Sequence, residues 1–173
     1  QPLYVIGSRN TDGSANFCAL SWVTFAWDGC PSVVLSIGEP KVTRDNILRE
    51  RAFCANQVSR EFVWLADYFG SSTAAQGPKD QFPYSYTWGE KVAAPVLDQS
   101  RLVFECAVTR TLEMDRGILI VGRVENIQLA ADLAGMDMRH VDLQALDPAI
   151  YAPWDYYSLG QHVGTMGAWR EHR

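Results

Sequence analysis

The stretch SIGEPKVTRDNI, residues 36–47, gathers Gly38, Pro40, Lys41 and Thr43 within six positions, where an apolar run gives way to a helix-like one. That order suits an anion such as phosphate. The backbone N–H groups at a helix N-terminus converge on negative charge. Lys41 adds a cation, Thr43 a hydroxyl, and Arg44 stands ready to close over the same group. The same residues also read as a strand end, a turn and a short helix capped by Thr43, with Lys41 in solvent. Spacing alone leaves both readings open.

A second group comprises Asn16, Ser21, Trp22 and Thr24. A flat polar heterocycle needs short polar partners for its ring carbonyls and nitrogens, with an apolar plane beside it. Ala19 and Ser21 are small enough to let a ring approach the backbone. The competing reading places Asn16 in a hairpin turn and Trp22 in the core. A third group, WDYYSLGQHVG at 154–164, crowds aromatics that finish the core, line a pocket or build a dimer contact. His162 has the pKa range for acid–base work, but no neighbour in sequence marks it for that role. His140, His162 and His172 form no metal-ligand pattern.

The elements that must position these groups are mostly strands. Residues 3–7 begin the series, and SRNTDG supplies hairpin residues. Alternation from Ser14 to about Trp27 predicts one long strand covered on both sides. DGCP makes the next turn and SVVLSIG the next strand. A short helix is expected from about Arg44 to Glu50, then a strand in AFCANQV. Ser59 is a second N-cap, ahead of a helix whose Phe62, Leu65, Ala66 and Phe69 share a buried face. Residues 70–95 form a long excursion in which Tyr84, Tyr86 and Trp88 alternate, so that part of it is ordered against something. A strand from Arg101 and its partner GILIVGRVENIQL make a long hairpin around EMDRG, and 130–149 read as loop with a short helical piece. The balance is mostly β with a few short helices, and a small antiparallel barrel removes the sheet edges.

At 173 residues and 47% hydrophobic, the chain is expected to form a single domain over 1–173. A formal net charge of -5 argues against a nucleic-acid binder. No run approaches the length of a membrane-spanning helix, and no secretory leader is visible in residues that open at Gln1-Pro2 without a Met. Cys18, Cys30, Cys54 and Cys106 lie far apart in mostly apolar surroundings, which predicts buried thiols, a reducing compartment and a cytoplasmic protein.

Taken in order, NFCALSWVTF (16–25), SVVLSIGEPKVTRDNILRERAFCANQ (32–57), LADYFG (65–70), KVAAPVLDQSRLVFECAV (91–108), LIVGRVENI (119–127) and the terminal YYSLGQHVG resemble the flavin reductase-like, or flavoredoxin-like, proteins. The resemblance covers nearly the whole chain. It implies an FMN-binding split β-barrel acting as a homodimer, with the flavin near the subunit interface. By position, it implies that Asn16, Ala19, Ser21, Trp22 and Thr24 lie along the isoalloxazine and that Ser36, Ile37 and Gly38 line the cofactor. Lys41 and Thr43 would hold the phosphate with Asn46 nearby, and Asn56 would close the following strand. The family often shows Ser-Arg-Tyr/His-Thr where this chain has Pro40, Lys41, Val42 and Thr43. Lysine keeps the charge without the guanidinium fork, so FMN is expected to be held more loosely or by Arg44 as well. Where the family often has Cys-Gly and Ser-Gly, this chain has Phe69-Gly70 and Thr73-Ala74, so no thiol role is expected there.

The implied function is an NAD(P)H-dependent flavin reductase passing hydride to flavin, with NADH or NADPH as substrate and no catalytic side chain or metal. Two alternatives stand beside it: a flavoredoxin-type FMN electron carrier without direct use of NAD(P)H, and a non-catalytic flavin-binding homodimer. The electrons would pass to free flavin, a redox partner protein or a monooxygenase.

Overall fold

In place of one strand over 14–27, two short ones flank Ser21 and Trp22, and this break organises the molecule. A computed structural model describes residues 1–38, 40–77, 79–135, 141–164 and 166. Strand β1 (Tyr4–Arg9) turns through Gly13, at φ +85°, into β2 (Ala15–Leu20). Strand β3 (Val23–Trp27) follows, and a three-residue turn leads to β4 (Pro31–Gly38). Helix α1 (Val42–Glu50) and β5 (Ala52–Gln57) come next, then a 3-10 turn over Arg60–Phe62 and helix α2 (Val63–Ser71). The excursion holds β6 (Tyr86–Trp88), which pairs with β7 (Pro95–Leu97). Long strands β8 (Leu102–Met114) and β9 (Gly117–Leu129) form the expected hairpin. Helix α3 (Leu143–Leu146) and the hairpin of β10 (Ile150–Ala152) and β11 (Asp155–Tyr157) complete the described chain.

Seven strands make one antiparallel sheet in the order β2-β1-β5-β8-β9-β4-β3. Its two end strands are consecutive in sequence, with only Ser21 and Trp22 between them. The sheet must therefore curl until its ends meet at that corner, closing a split β-barrel. Register shifts after Glu105 and Val108 in β8 assist the bend, since a bulge sharpens local twist. Ile6, Leu35, Ile37, Phe53, Phe104, Ile118 and Ile120 fill the interior. At Gly122 a Cβ would lie 2.5 Å from the Phe53 ring, so only glycine admits that ring.

Outside the barrel, α2 packs Leu65, Ala66 and Phe69 against Val5 and Phe17. The excursion is ordered by aromatic contact, as its alternation suggested: Tyr84 meets Phe69 edge-on at 5.1 Å, and Tyr86 meets Phe17 at 5.8 Å. Glu105 anchors its far end. The fully buried carboxylate accepts from the backbone N–H groups of Lys91 (2.7 Å) and Val92 (3.2 Å), and from the side chains of Asn126 and Gln128.

Two expected caps are not made by side chains. Thr43 lies inside the first turn of α1, and Lys41 occupies the N-cap without a side-chain bond. Ser59 precedes the 3-10 turn, also without a capping bond, because it joins a bridge to Pro148. Cys18, Cys54 and Cys106 are buried as expected, but Cys30 is only half-buried in the turn after β3. Among the described residues no helix is long and apolar enough to cross a membrane.

Candidate functional site

Four of the residues singled out by sequence, Ser21, Trp22, Thr24 and Ser36, meet at the corner where the sheet closes. Alternation along β4 sends Val33, Leu35 and Ile37 inward and leaves Val34 and Ser36 on the outer surface. Ser36 N–H donates to the Trp22 carbonyl at 2.9 Å, which fixes the corner against β4. Trp22 points outward and is 59% exposed, so it is not a core residue. An open cavity of about 410 Å³ results. Ser21, Trp22, Thr24 and Ser36 supply its polar and aromatic wall, Val34 and Leu119 add apolar surface, and Gln1 and Pro2 also line it. Gly38 sits beside Trp22, where a Cβ would lie 3.9 Å from the indole.

A buried polar network sets the start of α1. Asn16 is not a turn residue. Its amide donates to Thr43 Oγ1 at 2.9 Å and to Ser8 Oγ at 3.0 Å. Asn46 donates to Asn10 Oδ1 at 2.8 Å and to Ser8 Oγ at 3.3 Å, and accepts from Arg49 at 3.0 Å. The network ties the β1–β2 hairpin to the first turns of α1. Thr43 accepts from Asn16 and so keeps its own proton to donate. The first helical bond runs from Asp45 N–H to the Lys41 carbonyl, so the amides of Val42, Thr43 and Arg44 precede it.

Lys41 and Thr43 border a tight crevice with Ile37, Cys18, Ile6 and Leu20. Lys79 reaches the same neighbourhood from the excursion, and no motif or spacing singles it out. Its ammonium donates to the Phe69 carbonyl at 2.7 Å, in the last turn of α2, and to the Phe17 carbonyl at 2.9 Å. Burial depresses its pKa; Cys18 opposes that shift and the charge of Lys41 adds to it. A second cation thus stands near the first. Arg44 pairs with Asp45 at 3.3 Å.

Two residues stand apart. Ala19 faces outward against α2, where a Cβ at Gly70 would come within 3.2 Å of it. Asn56 is buried on the outer side of β5, donating to the Val5 and Cys54 carbonyls and accepting from Leu97 N–H at 2.8 Å. Each of its polar atoms is used in joining β1, β5 and β7. His162 is exposed, and His140 and His172 lie outside the described residues.

A seven-stranded split barrel with a cavity at its closing corner and a helix N-terminus beside it defines a class. The family model described as "Flavin reductase like domain" matches residues 1–160, and the chain belongs to that family. Its structure resembles flavoredoxin of Desulfovibrio vulgaris (Miyazaki F) with a TM-score of 0.87 at 23% identity, covering 96% of this chain and 91% of that one. Flavoredoxin from Methanosarcina acetivorans gives 0.86 at 23% identity, with 96% and 88% covered. Nitrilotriacetate monooxygenase component B from Bacillus cereus gives 0.85 at 16% identity, with 95% and 87% covered. At these identities the likeness is one of fold. No curated protein sequence matches the chain.

Proposed function

We propose that the protein is an FMN-binding redox protein of the flavoredoxin type, carrying electrons between partners. The observation behind this reading is the junction of the open cavity with the start of α1. Gly38 and Lys41 are three residues apart, so at most about 10 Å of chain separates the cavity from the cationic end. The fit is chemical as well as spatial. Three leading amides, Lys41 and Lys79 suit a phosphate, the Thr43 hydroxyl has a proton to give, and Trp22 offers an apolar plane to a ring. Ser21, Thr24 and Ser36 offer short polar groups to the ring's edge. When bound, FMN supplies the redox chemistry at its N5 and C4a region.

The chain's part is to hold and orient. Lys41 and the amides fix the phosphate end, Trp22 excludes water from one face of the ring, and no side chain has to move a proton. The side chains lining the cavity are uncharged. They offer nothing to the pyrophosphate of a nicotinamide nucleotide, which favours the carrier over a reductase.

An NAD(P)H:flavin oxidoreductase is the second reading, favoured by the openness of the cavity around Trp22, which leaves room for a nicotinamide ring. NADH and NADPH oxidation by the FMN-loaded protein separates the two. The carrier reading expects no loss of nicotinamide absorbance with either, and rapid loss overturns it in favour of the reductase. Failure to retain FMN on gel filtration or to take it up in titration overturns both.

We further propose that the protein works as a homodimer through the outer face of β3, β4, β8 and β9. That face exposes Trp22, Leu112 (61%) and Met114 (42%), an unusual density of apolar side chains for a free surface. Light scattering giving a single-chain mass would overturn this.

A further inference from the structure

Helix α2 carries two apolar stripes where folding needs one. Leu65, Ala66 and Phe69 face inward and meet Val5 and Phe17. Trp64 lies on the outward side and is 51% exposed, and Tyr68, one turn along the same face, is half-buried. Phe82 of the excursion joins them. Its ring meets Trp64 edge-on at 5.5 Å and Tyr68 at 5.0 Å, and it is itself 42% exposed. The Gln81 N–H donates to Tyr68 OH at 3.3 Å and pins the excursion there. An apolar surface left half in solvent and rimmed by polar groups is the mark of an interaction site.

The rim is acidic. Glu61 and Asp67 stand three residues to either side of Trp64, and both are exposed. Asp67 accepts from Tyr156 OH at 2.7 Å, which fixes its carboxylate at the edge of the rings. Asp80 is exposed two residues before Phe82. Burial raises the pKa of Tyr84, followed by Tyr86, Tyr68 and the charge of Asp80, so that carboxylate also lies close to the rings. The cations nearby are engaged elsewhere: Arg60 pairs with Asp147 at 3.0 Å, and Lys79 gives its ammonium to the Phe17 and Phe69 carbonyls. The rim therefore keeps its negative sign.

An aromatic plane beside a carboxylate suits one side chain above others. A guanidinium stacks flat on a ring and pairs with a carboxylate through its planar fork, whereas an ammonium is a more strongly hydrated point charge. We propose that this face of α2 docks an arginine-rich segment of a partner protein, with guanidinium groups stacked on Trp64 and Phe82 and paired with Glu61, Asp67 and Asp80. The net charge of -5 favours the approach of such a partner. The position suits a carrier. Ring contacts run from Phe82 through Tyr68 to Phe69, and the Lys79 ammonium lies 6.0 Å from the Phe69 ring, so a docked segment adjoins the cationic end of the candidate site. That the partner exchanges electrons rests on the flavoredoxin reading; the docking itself does not.

Calorimetric titration with octa-arginine tests the docking. The expected result is saturable one-to-one binding that weakens as salt is added, with octalysine at least about fivefold weaker. Trp64→Ser should weaken octa-arginine binding by about tenfold with no fall in Tm. Asp80→Asn should weaken it by about threefold. Asp115→Asn, which removes an equal charge from the exposed β8–β9 turn, should leave it unchanged. Absence of binding, equal affinity for the two peptides, or native affinity in Trp64→Ser overturns the proposal. So do equal losses in the two aspartate variants, since net charge would then account for the attraction; that pair decides the matter even if Trp64→Ser fails to fold. FMN uptake by the native protein is titrated separately, so that failure of the flavin reading cannot be mistaken for failure of the docking.

Discussion

The two arms of the candidate site are built on opposite principles. At the start of α1, Asn16 and Asn46 are buried and bonded to partners in the chain, and Ser8 joins them. At the cavity, Trp22 is largely exposed and its walls meet open space. A buried polar group that lacks a partner costs stability, so the first arm belongs to the folding frame. The second adds little to folding and is left free for a ligand. Frame substitutions should therefore lower stability, whereas cavity substitutions should lower binding alone.

The strongest test of the frame lies at Glu105, whose carboxylate holds the 91–92 turn. Burial raises its pKa, but hydrogen bonds from Lys91, Asn126 and Gln128 outweigh that and hold it below the ordinary value. The folded carboxyl is thus more acidic than the unfolded one. Its stabilisation is complete above the unfolded value of about 4.3 and disappears as pH falls through the lower folded value. Glu105→Gln turns an acceptor into a donor facing donors, and should cost on the order of 3 kcal/mol at neutral pH. Urea midpoints measured against pH should then show a shallower acid decline in the variant. A variant as stable as the native chain would remove Glu105 from the frame.

Asn16→Ala is the next step down. It strips donors from Thr43 and Ser8 inside the barrel, with an expected loss of about 2 kcal/mol in urea unfolding. Fluorescence and circular dichroism should give the same midpoint. A change below about 0.5 kcal/mol, the range of ordinary surface substitutions, would make Asn16 a ligand contact and not a frame residue.

The positions of most strands of the main sheet, the long β8–β9 hairpin and the barrel were legible because alternation and turn residues mark them directly. The break at Ser21-Trp22 was not, because alternation runs through it unbroken. Whether a strand continues or crosses to the far end of the sheet is decided by closure, a long-range property. Thr43 shows the same limit: a threonine before a helix reads as a cap, and its diversion to Asn16 depends on a partner 27 positions away. Lys79 carried no signal at all, being one lysine in a polar excursion until α2 and β2 bring carbonyls to it. The cluster at residues 36–47 was visible because its members are neighbours in sequence. Asn56 came from resemblance by position, and Ala19 from its small size as well; the fold turns both to the outer face.

Lys41 tests the boundary between frame and cavity. It is exposed at the helix N-cap and makes no side-chain capping bond, so Lys41→Ala should leave stability within about 0.5 kcal/mol of native. FMN affinity should fall by roughly tenfold or more, the worth of a charge-assisted contact. Riboflavin, which lacks the phosphate, should bind both proteins alike. Equal losses for the two ligands would place Lys41 in the frame and erase the contrast between the arms.

Trp22→Ala should give the smallest change in folding and the mirror image in ligand preference. The corner is held by the backbone bond between Ser36 and Trp22, which survives loss of the indole. The side chain is mostly in solvent, so stability should move by no more than about 0.5 kcal/mol. Stacking on an aromatic plane is worth about 0.5–1.5 kcal/mol, which gives a several-fold loss of affinity. FMN and riboflavin share the ring system and should lose equally. Quenching of flavin fluorescence on binding should also diminish, because the indole next to the ring is gone. If Trp22→Ala weakened FMN but spared riboflavin, the ring would not lie in the cavity, and the assignment of the two arms would have to be reversed.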